Sequence, residues 1–446
     1  MSTVAYKESG IRWLGRVPLE WDVAKIKRHC LVKRGASPRP IDDPKYFSEE
    51  GEYSWVRISD VTASDRYLTT TDQRLSEYGA SLSVKREPGD IFVSICASVG
   101  KPIITEIRCC IHDGFVCFDR LKLDKEYLFY LFTSGEMFKG LGNWGTQLNL
   151  NTEIIGDIII PVPPTHQQRR IAAYLDEQTA KIDRLMALRR RQMELLKEQR
   201  VAIIQQAVTR GLNPDVPMKN PGIPWMGKIP KHWEVTQLRR IIKSGTSITY
   251  GIVQAGHHIE GGIPYIRTSD MSGDALPLEG YLCTTPEIDH SYRRSKVCAG
   301  DVVVAIRATI GKPLPVPPEL EGANLTQGTA KVSPGKRIST QFLVVALKSE
   351  SARQQFGSLA KGTTFLEITL DMLRRFVIPL PPDDEQKEIV AFIENETAKH
   401  DSLYSAYVRQ LTLLAEYRAS LIHECVTGQR VAPDLQQPIE ETAHAL

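Results

Sequence analysis

The sequence lacks the long apolar runs that membrane proteins need. Its longest apolar runs, such as Ile158–Ile160, are the size of a strand, whereas a membrane span needs about 18 apolar residues. The segment from Met1 to Arg12 has no apolar core of the kind that a signal peptide carries. We therefore expect a cytoplasmic protein that makes no membrane contact.

The spacing of metal sites and disulfide frameworks is also missing. The eight cysteines include no CxxC pair, and the ten histidines include no HExxH pattern. In a chain of 446 residues such scattered cysteines indicate reduced thiols, and no metal or other cofactor is expected. Neither sign of charge dominates, since the net charge is +3. This balance neither requires nor excludes nucleic acid, because a basic face can be present in a near-neutral total.

What the sequence does contain is an internal repeat. Residues 10–21 and 222–233 both follow the pattern GIxW(L/M)G(R/K)(V/I)PxxW. Further matched segments are Val56–Asp60 with Ile266–Asp270, Pro88–Ile91 with Ala299–Val302, Val99–Pro102 with Ile310–Pro313, Ile160–Pro164 with Ile378–Pro382, and Glu177–Lys181 with Asn395–Lys399. The anchors are alike, while the segments between them differ in length and sequence. The repeat predicts two copies of one scaffold, each recognising something different.

Each copy has a globular part followed by a helical part. The globular parts contain short β-branched runs such as 91–95 and 302–306, which predict strands. The segments that follow have no Gly or Pro until Gly211 and Gly428, and their apolar residues recur at helical spacing. A helix of about 45 residues extends about 68 Å, and one so long and amphipathic normally pairs with another.

We therefore predict an α+β fold with an internal pseudo-twofold repeat, in which two long helices pair as an antiparallel coiled coil. The predicted divisions are a first globular domain at 1–164, a first long helix at 165–210, a second globular domain at 211–382, a second long helix at 383–428 and a flexible tail at 429–446.

Two patterns resemble enzyme motifs but depart from them. Gly100-Lys101 and Gly311-Lys312 lack the upstream glycine and the following Ser or Thr of a phosphate-binding loop. They fit either a basic-tipped turn between two strands or a basic tip that contacts the DNA backbone. The Pro-Pro pairs at 163–164 and 381–382 lack the flanking residues of an amino-methyltransferase motif, and no glycine-rich adenosylmethionine loop is present. They mark helix starts, and we expect no catalytic residues.

Two further pairs of segments carry candidate DNA contacts. Arg57–Asp60 and Arg267–Asp270 fit either a turn whose Asp accepts backbone hydrogens or an edge whose Arg and Ser face DNA. The loops 144–147 and 361–364 combine Gly and Thr, which fits either turn chemistry or phosphate contact. The candidate DNA-binding residues are Arg57, Ser59, Lys101, Thr146, Arg267, Ser269, Lys312, Thr363 and Thr364.

With these motifs, the chain from Gly10 to Gly428 resembles the specificity subunit of type I restriction-modification systems. The resemblance rests on the twice-used GIxWxGxxPxxW element, the twice-used P(V/L)PPxxxQ element and the long helix after each. One departure is Gln167, which stands where the family usually has an acid, as at Glu385.

The resemblance implies two target recognition domains and a helical spacer. It also implies that the chain binds double-stranded DNA, two methyltransferase subunits and restriction or motor subunits. It would then be the non-catalytic recognition subunit of an adenine-N6 methyltransferase and restriction endonuclease complex, and the methyl donor would belong to the methyltransferase. Two readers joined by a spacer would recognise a bipartite, asymmetric site.

Two competing classes are a freestanding enzyme and a coiled-coil scaffold that binds only protein. The enzyme would need a catalytic constellation, and none is visible in the sequence. The scaffold would not need domain interiors that diverge between the two copies.

Overall fold

The computed structural model describes residues 5–97, 99–139, 150–360 and 367–430. These residues form two compact units. The first unit contains the described residues up to Arg189 and those from Arg409 onward, and the second runs from Arg190 to Val408. Each unit therefore combines one copy of the repeat with segments of both long helices.

The first unit is built from short strands and helices. Its strands are β1 (Tyr6–Glu8), β2 (Arg16–Pro18), β3 (Asp22–Lys25), β4 (Leu31–Arg34), β5 (Tyr53–Val56), β6 (Tyr67–Leu68), β7 (Gln73–Leu75), β8 (Val84–Arg86), β9 (Ile91–Ser94), β10 (Pro102–Thr105), β11 (Cys109–Ile111), β12 (Phe115–Asp119) and β13 (Ile159–Val162). Its helices are α1 (Ile58–Ala63), α2 (Glu77–Ser81), α3 (Lys125–Thr133), α4 (Thr152–Asp157) and the first part of the long helix α5 (Thr165–Arg210). Single 3-10 turns occupy Ile26–Arg28, Pro44–Tyr46 and Glu136–Phe138.

Two sheets dominate this unit. One has the strand order β4-β12-β9-β10-β6 and the other the order β7-β5-β11-β8. The first three residues of β9, Ile91–Val93, are apolar because both faces of the strand are covered. Ile91 and Val93 belong to the core cluster that includes α3, while Phe92 belongs to a second cluster on the opposite face. Strand β13, which precedes α5, pairs antiparallel with β3 near the start of the chain.

The second unit repeats this plan with its own strand lengths. Its strands are β14 (Met218–Lys219), β15 (Ile229–Pro230), β16 (Glu234–Gln237), β17 (Thr249–Tyr250), β18 (Ile263–Ile266), β19 (Cys283–Thr284), β20 (Val302–Ala305), β21 (Pro313–Pro315), β22 (Asn324–Leu325), β23 (Thr329–Val332) and β24 (Val377–Leu380). Its helices are α6 (Pro286–Ser291), α7 (Thr340–Leu347), α8 (Glu350–Leu359), α9 (Leu370–Arg375) and the first part of the long helix α10 (Asp383–Val426). Its 3-10 turns are Leu238–Arg240, Thr268–Met271, Arg293–Ser295 and Pro318–Leu320.

The two main sheets of the second unit correspond to those of the first, but each has one strand fewer in the described residues. One has the order β17-β23-β20-β21 and the other the order β19-β18-β22. Strand β20 alternates as β9 does, with Val302 and Val304 in one core cluster and Val303 and Ala305 in another. Strand β24, which precedes α10, pairs antiparallel with β16.

The hydrophobic core of each unit includes residues from both long helices. In the first unit the cluster around Trp21 includes Leu175 from α5 and Leu421 and Cys425 from α10. The early part of α5 therefore packs beside the late part of α10, as an antiparallel pair requires. In the second unit the late part of α5 and the early part of α10 share one core around Trp233. The predicted α+β repeat with paired antiparallel helices is confirmed.

Two further features concern the cysteines and the helices. All eight cysteines lie in described residues and are free thiols, and five of them are buried. No helix in the described part of the chain is long and apolar enough to cross a membrane.

Candidate nucleic-acid interface

The repeated tryptophans hold each long helix to its globular domain. The indole Nε1 of Trp21 donates to Oε1 of Gln167 at 2.8 Å, and the indole Nε1 of Trp233 donates to Oε2 of Glu385 at 2.8 Å. Both indoles are buried. An indole N–H needs only an acceptor, so an amide oxygen serves as well as a carboxylate oxygen. Gln167 therefore fills the structural position that Glu385 fills in the second unit.

The glutamine that follows joins three segments in each unit. In the first unit, Gln168 accepts from the backbone N–H of Asp124, the residue before α3, at 2.8 Å and donates to the carbonyl of Pro163 at 2.7 Å. In the second unit, Gln386 makes the equivalent bonds to Ser339 at 2.9 Å and Pro381 at 3.0 Å. The spacing PPxxxQ thus fixes the start of each long helix against a domain helix.

The Arg-x-Ser-Asp segments follow β5 and β18 directly and form the start of α1 and of the 3-10 turn Thr268–Met271. A side-chain oxygen of Asp60 accepts from the backbone N–H of Arg57 at 2.7 Å, and one of Asp270 accepts from that of Arg267 at 2.8 Å. These bonds are the turn geometry expected for the two aspartates. The side chains of Arg57, Ser59 and Ser269 are exposed, and their contact with DNA stays a prediction.

The two Gly-Lys tips end hairpin turns, and each lysine bonds to nearby carbonyls. Nζ of Lys101 donates to the carbonyls of Thr62 at 3.0 Å and Ser64 at 2.7 Å, at the end of α1. Nζ of Lys312 donates to the carbonyl of Ser272 at 2.7 Å. Partial burial lowers the pKa of Lys101. An ammonium group has three donors, so each lysine keeps at least one N–H for a phosphate oxygen.

The sequence interpretation missed the residues on the hairpin turns that precede these lysines. Both copies read Ile-x-Ala-x-x-Gly-Lys, and the first variable residue is Cys96 in one copy and Arg307 in the other. The sequence contained a signal for this position, because the motif occurs twice with a different residue after the isoleucine. Ala97 and Ala308, the next residues, have positive φ angles of 55° and 58°, a conformation that residues other than Gly and Asn rarely adopt.

A polar cluster lies beside the first of these turns. Asp113 accepts from Oγ of Ser37 and from Nη2 of Arg39, both at 3.0 Å, and its carbonyl accepts from Nε of Arg34 at 2.6 Å. Partial burial raises the pKa of Asp113, but the Ser37 hydrogen bond and the Arg39 charge bring it below its ordinary value. The side chain of Arg39 is 77% exposed, so the cluster presents a cation to solvent while its carboxylate stays ionised.

The remaining predicted contacts fall on the Gly-Thr loops. Thr146, Thr363 and Thr364 lie outside the described residues. Across the ranges that the structure does describe, no group of three or more His, Cys, Asp or Glu side chains is placed to hold a metal ion. The described candidates are therefore exposed or half-buried Arg, Lys and Ser side chains that follow the ends of strands, an arrangement that suits contact with polar edges and phosphates.

Comparison with known proteins bears directly on these domains. The family model for the type I restriction modification DNA specificity domain matches the chain twice, over residues 18–194 and 230–403. The EcoBI type I restriction enzyme specificity subunit of Escherichia coli is 29% identical over 296 residues, which is 64% of this chain and 61% of that protein. The MjaVIII specificity subunit of Methanocaldococcus jannaschii is 25% identical over 397 residues, which is 86% of this chain and 88% of that protein.

Two solved structures share the fold. A chain from a structure of the complex assembly and conformational transition of a type I R-M system has a TM-score of 0.71 at 18% identity, covering 93% of this chain and 99% of that one. The HsdS subunit from Thermoanaerobacter tengcongensis has a TM-score of 0.60 at 18% identity, covering 95% and 100%. At this level of identity the likeness concerns the fold.

Proposed function

The chain belongs to the type I restriction-modification DNA specificity family, and on this premise we propose that it reads a bipartite, asymmetric DNA site with one half-site per recognition domain. The observation that carries the proposal is the repetition of one backbone frame with different exposed side chains. The bonds of Trp21 and Trp233 are equivalent in the two units, and so are those of Gln168 and Gln386. A frame used twice with changed surface residues suits two readers of different base sequences.

We further propose that the chemistry belongs to partner subunits. The chain has neither a glycine-rich adenosylmethionine loop nor an amino-methyltransferase Pro-Pro motif. Methyl transfer to adenine N6 would come from two methyltransferase subunits, and cleavage from restriction subunits. The recognition subunit itself would supply binding and orientation, with no catalysis and no cofactor of its own.

Exposed leucines on the long helices support the proposal that the chain binds two copies of one partner. Leu185 in α5 and Leu403 at the matching position in α10 are 40% and 42% exposed, and the matched pair Leu195 and Leu413 are 40% and 62% exposed. Each unit therefore displays one leucine of each pair on its helices. Large apolar side chains exposed at repeated positions suit repeated contacts with identical subunits.

A domain exchange tests the reading function. Residues 22–145 are replaced by the same segment of a relative that has a different target, and the methylated motif is read by methylome sequencing of cells that also express the partner subunits. We expect one half-site to change and the other to stay. The reciprocal exchange of 234–362 is the matched control and should change only the other half-site. A change of both half-sites in either exchange contradicts the proposal.

A further inference from the structure

The hairpins closed by Ser94 and Lys101 in the first unit, and by Ala305 and Lys312 in the second, have the same backbone bonds at their bases. In the first, the N–H of Gly100 donates to the carbonyl of Ser94 at 2.8 Å, and the N–H of Ser94 donates to the carbonyl of Lys101 at 3.1 Å. In the second, the N–H of Gly311 donates to Ala305 at 2.8 Å, and the N–H of Ala305 donates to Lys312 at 3.0 Å. The two turns are therefore closed by the same pair of backbone bonds.

An aromatic ring fixes the base of each turn. Gly100 and Gly311 have φ angles of 84° and 83°. A Cβ on Gly100 would lie 2.4 Å from the ring of Phe138, and one on Gly311 would lie 2.4 Å from the ring of Phe356. Only glycine fits between the turn and the ring, so the two turns are held at the same place in their units.

Each turn carries backbone strain at its exposed end. Ala97 and Ala308 adopt left-handed φ angles and are exposed. Such a conformation is strained for a non-glycine residue, and it persists where the surrounding structure enforces it. Strain of this kind is concentrated at ligand-contacting positions. The residue before each alanine, Cys96 or Arg307, therefore lies at the strained end of its turn.

That residue is the one that differs in chemistry. Cys96 and Arg307 occupy the same place, since each lies beside the glycine that precedes the neighbouring strand. A Cβ on Gly114 would meet Sγ of Cys96 at 2.6 Å, and a Cβ on Gly328 would meet Cβ of Arg307 at 3.9 Å. The same Cβ on Gly328 would lie 3.0 Å from the side chain of Thr268, which belongs to the Arg-Thr-Ser-Asp segment.

Arg307 is both held and open to solvent. Its Nε donates to Oε2 of Glu367 at 2.9 Å, and its side chain is 45% exposed. Its terminal nitrogens make no hydrogen bond within the described residues. A guanidinium whose Nε is fixed by a carboxylate presents its remaining two N–H-bearing nitrogens as a fork. That fork matches O6 and N7 of guanine, the pair of acceptors that arginine most often reads in DNA.

We propose that position 96/307 determines base specificity, and that Arg307 reads a guanine in the half-site of the second domain. The inference rests on the proposed function and deepens it, because it assigns one base to one side chain. Cys96 is an uncharged thiol and cannot make the two-pronged contact, so the first domain reads a different feature at the equivalent place. Glu367 acts as a positioning residue, since it holds the guanidinium without contacting the base.

The test uses the full chain together with its partner subunits, in cells without other adenine methylation, and reads the methylated motif by methylome sequencing. Arg307→Ala should relax a single guanine of the second half-site, with about ten- to hundredfold lower discrimination at that base pair. The first half-site should not change. Arg307→Lys should keep part of the preference for guanine, and Glu367→Gln should weaken it less than Arg307→Ala does.

The matched control is Arg353→Ala. Arg353 is also an exposed arginine of the second unit paired with a glutamate, Glu350, at 2.7 Å, but it lies in α8 and not on the turn. This variant should leave both half-sites as they are. If the wild-type chain yields no bipartite motif, the proposed function fails. If the wild-type motif is present and every folded Arg307 variant, checked by its melting temperature, keeps it unchanged, the assignment of Arg307 is overturned.

Discussion

Arg418 in the second long helix donates to Asp183 in the first, with a distance of 2.9 Å between Nε and Oδ1. The same pair occurs in the second unit with the helices exchanged, since Nη1 of Arg200 in the first helix lies 2.5 Å from Oδ1 of Asp401 in the second. The positions match through the repeat. Each unit therefore fastens its helix pair with an equivalent ion pair.

These ion pairs should couple the helices weakly and in a salt-dependent way. Asp183→Arg and Arg418→Asp should each lower the free energy of unfolding, and the double variant should recover part of the loss. The coupling should be about 0.2–1 kcal/mol, because the partners are 52% and 33% exposed, and it should shrink at high salt. Urea unfolding of the four proteins measures it.

The control for this cycle is Glu177 with Lys181, a more exposed pair within the first helix. Its coupling should not depend on the second helix. A double variant of Asp183 and Arg418 that is no more stable than the two single variants predict would contradict pairing of the helices in the first unit.

The tryptophan anchor should need an acceptor and not a charge. Glu385→Gln should change the free energy of unfolding little, because Gln167 fills the same role in the first unit. Glu385→Ala should cost about 1–3 kcal/mol, since it leaves the buried indole N–H of Trp233 without a partner. Gln167→Ala is the reciprocal variant in the first unit and should cost a similar amount, since it leaves the buried indole N–H of Trp21 without a partner. Equal losses for Glu385→Gln and Glu385→Ala would show that the charge matters.

The first unit should lose stability in mild acid through His112. Nδ1 of this residue accepts from the N–H of Gly114 at 2.8 Å, which requires the neutral ring. Burial lowers the pKa of His112, although the neighbouring Asp113 opposes this. Because the folded pKa lies below the unfolded value of about 6.5, the stability is present above that value and is lost as the pH falls through the folded pKa.

The measurement is the urea midpoint at pH 7.5 and pH 5.5. His112→Asn keeps an acceptor near the same place but does not titrate, so its midpoint should fall less than that of the wild type. His166→Asn replaces an exposed histidine. Its urea midpoint should fall by as much as that of the wild type. Identical pH dependence in the wild type and the His112 variant would exclude this role for His112.

Lys101 and Lys312 should contribute equally to the binding of all DNA sequences. Lys101→Ala and Lys312→Ala should each weaken binding without changing the recognised motif. Each should also reduce the slope of log affinity against log salt by about one unit, because one phosphate contact is lost. Fluorescence titration of the assembled complex at several salt concentrations measures the slope. Lys181→Ala, on the first long helix, is the control and should leave the slope unchanged.

If neither slope changes, the bonds of Lys101 to Thr62 and Ser64, and of Lys312 to Ser272, account for the lysines by themselves. The lysines would then be parts of the turns and not DNA contacts.

The sequence by itself determined the repeat, the two long helices and the anchors that join them to the domains. These features depend on local signals. A segment without Gly or Pro and with apolar residues at helical spacing forms a helix wherever it lies, and α5 and α10 follow that rule. The Pro-Pro steps and the repeated Trp and Gln were visible for the same reason, because equal anchors in two copies mark equal backbone positions.

Tertiary structure alone decided which side chains meet at the candidate interface. Arg307 lies beside Gly328 and is held by Glu367, 60 positions along the chain, and the amine of Lys101 bonds to carbonyls 37 and 39 positions away. No local pattern encodes such contacts, because they depend on how strands from separate segments pack together. The left-handed φ of Ala97 and Ala308 is likewise imposed by the closed hairpin and the ring beneath it, since alanine has no preference for that conformation.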